Sequence, residues 1–382
     1  MKKLLAVVVL MLMVVLVAPK FVAQDRGKQF SILIPESSIP RAGRAHTNYV
    51  FRVDSSWRIN TSTPQGETPA SLRAIYNLPS SGGGGTIAII GASLDKTVES
   101  DLNVFSTQFG LPACTIANGC LSVIVGSHTR IDCGFTTEQA LDLEWAHAMA
   151  PNAKLVLVEA NSASLTDLLA AVDVATNAVL ANGRGEVSMS WGFAEFAGEL
   201  TNDGHFQHDG IVYVAASGDA AQNSYPSVSS FVVSAGGTSV NRDSGGNFVS
   251  ETAWSNSGGG VSQYELKPTY QNGIAGTDAM FRTTPDFAFD ADPSTGVAAY
   301  STCCKPVGSC GLNGWAVVGG TSVSAPALAG IINLAGNFYL NSSMELSTIY
   351  GNIGNSSDFR DIPPVGYDIK TGVGSNQGLS GK

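Results

Sequence analysis

Two short apolar runs constrain the fold more than any other feature of this chain. Thr86-Ile-Ala-Ile-Ile-Gly-Ala92 and Lys154-Leu-Val-Leu-Val-Glu159 place apolar side chains at successive positions, so each segment must be covered on both faces. Helix-period segments follow each run. One spans 98–109 and stops at Gly110; the other spans 164–180, with Ser164 as N-cap and Asp167 three residues on. Further strands are expected at 186–191, 211–217 and 231–235, and a further helix at 325–338. Doubly buried strands alternating with helices predict an α/β fold with a mostly parallel central sheet and helices on both faces. Chemistry in such sheets gathers at the carboxyl ends of the strands.

Composition narrows the function classes. Of 382 residues, 44% are hydrophobic and 14% charged, which excludes a disordered chain. Lys and Arg total 21 against 31 Asp and Glu, a net charge of −10, with no basic run beyond Lys2-Lys3. That is the wrong sign for a nucleic-acid binder, which must neutralise phosphate. Lys2-Lys3 precedes an apolar run over 4–18, shorter than the roughly 20 residues of a membrane span. Residues 1–23 are therefore read as a secretory signal peptide, cut after Ala18 or Ala23, with an uncleaved anchor as the alternative. The expected product is secreted, without stable membrane association after cleavage. Residues 24–65, with Pro35, Pro40 and Pro64, read as a poorly organised lead-in, and 66–382 as one domain. None of the six cysteines has C-x-x-C spacing, so structural disulfides are expected. Cys114 and Cys120 close a short loop around the turn signal Asn118-Gly119; the other four are unassigned.

Three segments carry candidate chemistry. Gly319-Gly-Thr-Ser-Val-Ser-Ala-Pro326 opens a helix, where free N–H groups and the positive dipole end favour an oxyanion beside Ser322. Its bland alternative is an ordinary serine cap. None of the five histidines stands in a setting that marks it as the base for such a nucleophile. Thr136-Thr-Glu-Gln139 reads as a capping box, with Glu138 and Asp142 one turn apart on the same helix face as Trp145 and Met149. Neighbouring carboxylates facing an interior share a proton; the alternative is a solvated pair in a first turn. Ser217-Gly-Asp219 ends a strand, where Asp219 can face an oxyanion or serve only as a turn residue.

The combination resembles the sedolisins, or serine-carboxyl peptidases, which have a subtilisin-like fold. Gly-Thr-Ser-x-x-x-Pro is matched at 320–326, Glu-x-x-Leu-Asp at 138–142 and Ser-Gly-Asp at 217–219. The likeness runs in order from about residue 68 to 374, through Ser190-Trp-Gly192, Tyr225-Pro226, Gly236-Gly-Thr238 and Pro285-Asp286 among others. It implies an endopeptidase acting on proteins or peptides at acid pH, expected to be a monomer. Ser322 would be nucleophile, Glu138 base, Asp142 its partner and a protonated Asp219 the oxyanion donor. Ser190, Trp191 and Gly192 would pair with the substrate backbone. The resemblance also implies one Ca2+ site, on Asp361, Ile362, Pro364, Gly366 and Asp368, in a loop with only six residues between the two aspartates. The long pro-domain usual in the family has a counterpart of about forty residues here, so 24–65 is a reduced version or a linker. The competing readings are a catalytically inactive secreted binding protein on this fold, and a subtilisin-type Ser-His-Asp peptidase.

Overall fold

The computed structural model describes residues 30–59, 61–302 and 312–382; the expected signal peptide and Cys303, Cys304 and Cys310 lie outside them. In chain order the elements are β1 (Phe30–Leu33), β2 (His46–Thr47), β3 (Val50–Asp54), α1 (Pro69–Ile75), β4 (Thr86–Gly91), α2 (Val98–Phe109), β5 (Leu121–Val125), α3 (Cys133–Met149), β6 (Lys154–Glu159), α4 (Leu165–Ala181), β7 (Gly185–Met189), β8 (Trp191–Gly192) and β9 (Ile211–Ala216). They continue with β10 (Val233–Arg242), β11 (Phe248–Ala253), β12 (Gly260–Leu266), β13 (Phe281–Thr284), β14 (Phe287–Asp290), β15 (Val297–Ser301), β16 (Gly314–Gly319), α5 (Thr321–Ala335), α6 (Ser342–Gly351), β17 (Phe359–Arg360) and β18 (Ser375–Asn376).

The central sheet has the order β17-β18-β14-β10-β9-β7-β4-β6-β5. Every pair from β18 to β5 is parallel, while β17 joins β18 and β11 joins β10 antiparallel. Period-2 alternation divides its side chains between two cores. Ile87, Ile89, Leu155, Leu157, Val212 and Val214 face the larger core, with α2, α3 and α5. Ala88, Ile90, Val156, Val158, Ile211 and Tyr213 face the second, with α4. This is the expected α/β architecture.

Three local expectations differ. α3 starts at Cys133, capped by the Asp132 carboxylate, which accepts from the N–H groups of Gly134 and Phe135 at 3.1 and 3.3 Å. Thr136 is not the cap; its hydroxyl donates back to the Asp132 carbonyl at 3.0 Å. Glu138 and Asp142 therefore lie in the body of a buried helix and not in a solvated first turn. α5 begins at Thr321 and ends at Ala335, with Gly336 closing it in the left-handed conformation at φ 72°. Finally, 30–54 is organised: β1, β3, β16 and β15 form an antiparallel sheet, and β2 pairs with β8.

Candidate active site

α3 and α5 pack side by side on one face of the central sheet. Small residues allow the approach: a Cβ on Gly330 would lie 2.7 Å from Met149 Cβ and 2.9 Å from the Ala146 carbonyl. Ser322 is the second residue of α5, after Gly320 at φ 110° and ψ 160°, a conformation only glycine holds without strain. The Ser322 hydroxyl donates to the Ser190 carbonyl at 3.3 Å, with the Glu138 carboxyl beside it. Asp142 sits one turn further along α3 and accepts from Ser190 Oγ at 2.7 Å.

Pro326 has a use that its place in the sequence does not reveal. It is the sixth residue of α5, past the first turn. Lacking an N–H, it leaves the carbonyl four residues earlier, that of Ser322, without its helical donor. Ser190 Oγ lies 3.4 Å from that carbonyl. One hydroxyl thus spans the backbone of the nucleophile and the partner of the base.

Burial sets the protonation of the group. Glu138 and Asp142 are both held far above the usual carboxylate range, by desolvation first; for Glu138 the neighbouring Asp142 adds to it. A buried pair of this kind keeps at most one negative charge. Asp219, three residues past β9, is half-buried on the cavity wall, and desolvation pushes it up to about 7. Its Oδ1 accepts from Thr321 N at 2.8 Å and Thr321 Oγ1 at 2.9 Å. Its Oδ2 is buried with no hydrogen-bond partner among the described residues, so that oxygen is the one free to carry a proton.

The structure thus brings Ser322, Glu138, Asp142, Asp219 and Ser190 together, and Thr321 joins them through Asp219 and through its hydroxyl, which accepts from Gly218 N at 3.0 Å. Trp191 and Gly192 form β8, whose antiparallel partner is β2: His46 opposite Gly192, Thr47 opposite Trp191. Asn48, in a segment read as unorganised, lies on the nucleophile. Its N–H is 3.1 Å from Ser322 Oγ and 3.3 Å from Glu138 Oε2, and its carbonyl accepts from Ser322 N at 2.9 Å. Nothing in the sequence around Asn48 marks it, because its position depends on the path of the chain in three dimensions. A cavity of about 430 Å3 opens beside it, lined by His46, Phe193, Asp219, Asn223 and Trp254 among others.

The expected metal residues form a separate loop. Asp361 Oδ1 accepts from Gly366 N at 3.0 Å, and Asp368 Oδ1 accepts from the N–H groups of Lys370 and Thr371. Asp361 is close enough to Asp368 to hold its carboxyl up, after desolvation. Two mutually repelling carboxylates in an all-oxygen donor set fit a hard cation. Among the described residues, three or more His, Cys, Asp or Glu side chains come within metal-ligand spacing of one another elsewhere, at Cys114, Cys120 and His147. The two sulfurs there are joined in the expected Cys114–Cys120 disulfide, and Cys133 is disulfide-bonded as well.

Residues 120–361, well over half of the chain, match the subtilase family. The chain belongs to that family. Its curated relatives are of the sedolisin type. Sedolisin of Pseudomonas sp. (strain 101) is 29% identical over 169 residues, 41% of this chain and 25% of the relative. Kumamolisin of Bacillus sp. (strain MN-32) is 27% identical over 310 residues, 72% of this chain and 53% of the relative. The chain thus spans about half or less of these relatives. Among solved structures, Pseudomonas sedolisin complexed with pseudo-iodotyrostatin superposes with a TM-score of 0.67 at 23% identity, covering 82% of this chain and 96% of that one. It establishes the subtilisin-like fold.

Proposed function

We propose that this subtilase is a secreted serine-carboxyl endopeptidase that works at acid pH. The observation that carries the reading is the group facing the nucleophile: the titratable group beside the Ser322 hydroxyl is the buried Glu138 carboxyl, and among the described residues no imidazole hydrogen-bonds that hydroxyl. Ser322 Oγ attacks the scissile carbonyl while Glu138 takes its proton, with Asp142 as the second member of the pair. Ser322 N–H and protonated Asp219 Oδ2 donate to the oxyanion. Glu138 returns the proton to the leaving amine, and water then repeats the sequence on the acyl-enzyme. β8 supplies the edge to which an extended substrate adds as a strand, in the place that β2 holds here. All four acid–base and nucleophile positions are filled by groups able to act, which disfavours an inactive binding protein.

Calcium would be held by Asp361 and Asp368 with the carbonyls of Ile362, Pro364 and Gly366; its contribution is to brace the C-terminal loop, away from the reaction. Secretion is supported by the Cys114–Cys120 disulfide, the acidic composition and the leader-like residues 1–23. Digestion of a protein substrate from pH 3 to 8 tests the reading. Activity is expected on the acid side and lost in Ser322→Ala. A folded protein inactive at every pH would favour the binding protein, and activity confined to pH 7 and above would favour a histidine base.

A further inference from the structure

Ser190 touches both the nucleophile and the acid pair. It stands between β7 and β8 and is buried, as are Ser322 and Asp142. Its hydroxyl oxygen lies 2.7 Å from Asp142 Oδ1 and 3.4 Å from the Ser322 carbonyl. Its own carbonyl accepts from Ser322 Oγ at 3.3 Å. One hydroxyl carries one proton and cannot donate to both neighbours. While Asp142 Oδ1 is bare the proton goes there, over the shorter distance, and the Ser322 carbonyl is the second acceptor in wait. A buried carbonyl needs a donor, and Pro326 has no N–H to give this one.

Burial alone does not choose the base. Glu138 and Asp142 are both held far above the usual range, so burial limits the pair to one charge without placing it. Glu138 is a base only when the remaining proton is on Asp142. Glu138 Oε1 and Asp142 Oδ2 are buried with no hydrogen-bond partner among the described residues, so they do not bond each other. A proton on Asp142 Oδ1, by contrast, has Ser190 Oγ within reach. With the proton there the bond reverses. Asp142 donates, Ser190 Oγ accepts, and the Ser190 hydroxyl turns its own proton to the Ser322 carbonyl. All three groups then have a partner.

We propose that Ser190 is the positioning residue that parks the shared proton on Asp142 and so makes Glu138 the base. The inference rests on the serine-carboxyl reading, which names the pair but not the holder of its proton. No bond between heavy atoms changes: one proton sits on Asp142 Oδ1, one hydroxyl rotates, and Glu138 is left ionised to take the Ser322 proton. Pro326 belongs to the same device. By withholding an N–H from the Ser322 carbonyl, it leaves the acceptor that draws the Ser190 proton away from Asp142. With an N–H at 326, that carbonyl would be served within the helix. The Ser190 hydroxyl would then stay on Asp142, favouring the charge there and the proton on Glu138.

A double-mutant cycle, with kcat and KM measured on a peptide substrate at acid pH, tests this. Ser190→Ala should lower kcat roughly tenfold or more, the worth of a hydrogen bond to a charged group. KM should stay within about twofold, since the side chain is engaged by Asp142 and Ser322. Ser190→Thr, which keeps the hydroxyl, should restore most of the loss. Pro326→Ala should lower kcat about fivefold in the parent and not at all in Ser190→Ala, because the two residues act through one carbonyl. Each variant is checked for folding by its thermal melt. Equal losses from Pro326→Ala in both backgrounds would overturn the inference and leave the peptidase reading standing. So would an unchanged kcat in Ser190→Ala, or a loss confined to KM. A folded parent that cleaves no peptide at any pH would overturn the peptidase reading itself, and this inference with it.

Discussion

Asp219 divides two tasks between its oxygens. Oδ1 takes the N–H and hydroxyl of Thr321, which fixes the start of α5, and Oδ2 is left to carry the proton. A donor of this kind works only while protonated. With its value pushed up to about 7 by burial, the donor is present below that pH and lost as the pH rises through it. The free carboxylate value, about 3.9, would end activity much earlier and confine the maximum to roughly pH 3 to 5. The expected alkaline limb of kcat/KM therefore falls near pH 7. Asp219→Asn keeps a donor at every pH, so its limb should move upward while its peak rate drops, by up to the roughly 100-fold that one oxyanion donor is worth. A limb that stays in place would remove Asp219 from the oxyanion site. Ser322, Glu138, Asp142 and Asp219 could be singled out in the sequence because each sits in a short local pattern, and the three patterns in that order resemble one family although each alone has a bland alternative. Asn48 could not, since a lone asparagine acquires meaning only from what the fold lays it against.

Among the elements, α3 and α5 decide whether nucleophile and base meet. They pack tightly at Gly330, where any side chain meets Met149 and the Ala146 backbone. Overpacking of this type costs about 1–3 kcal/mol. Gly330→Val should lower the melting temperature and, by spreading the helices, reduce kcat at a temperature where the variant is still folded. Normal kcat in a destabilised variant would mean that the helix spacing does not set the Ser322–Glu138 geometry. The extent of α3 was only partly legible. Thr136-Thr-Glu-Gln139 has the spacing of a capping box, but Asp132 captures the helix start first, and the Thr136 hydroxyl is left to bond backwards. The parallel strands were readable because burial on both faces marks them. The β1-β3-β16-β15 sheet was not, because the pairing that closes it, β3 with β16, joins residues more than 200 positions apart and leaves only mixed polar patterns in sequence.

Across the whole molecule, carboxyl groups are buried in unusual number for a chain with so few charges. Desolvation pushes Asp95 and Asp203 up to about 6, Glu159 to about 7, and Glu199, Glu265 and Glu345 to about 8. Each folded value exceeds the unfolded one, so the folded state binds more protons in the interval between them. Their contribution to stability is complete below about pH 4 and is lost as the pH rises toward 8. One pKa unit on one group is worth about 1.4 kcal/mol. Mutual coupling shrinks the total, so a fall of several degrees in melting temperature from pH 4 to 8 is expected, read by calorimetry on Ser322→Ala to avoid self-digestion. A melting temperature that is flat or rises over that range would contradict the assignment. In the same background a chelator at pH 7 should lower the melting temperature, because an ion bound only by the folded state stabilises it. The effect should vanish in Asp368→Ala, and a chelator without effect on the parent protein would mean that this loop holds no ion.

β1 lies antiparallel on β3 from Phe30 opposite Asp54 to Leu33 opposite Phe51, and Asn48 falls between these two strands in the chain. A break anywhere in that connection would sever the covalent path from β1 to β3 and leave their ladder intact, so the two polypeptides would elute as one species from a gel-filtration column and separate only under denaturing conditions.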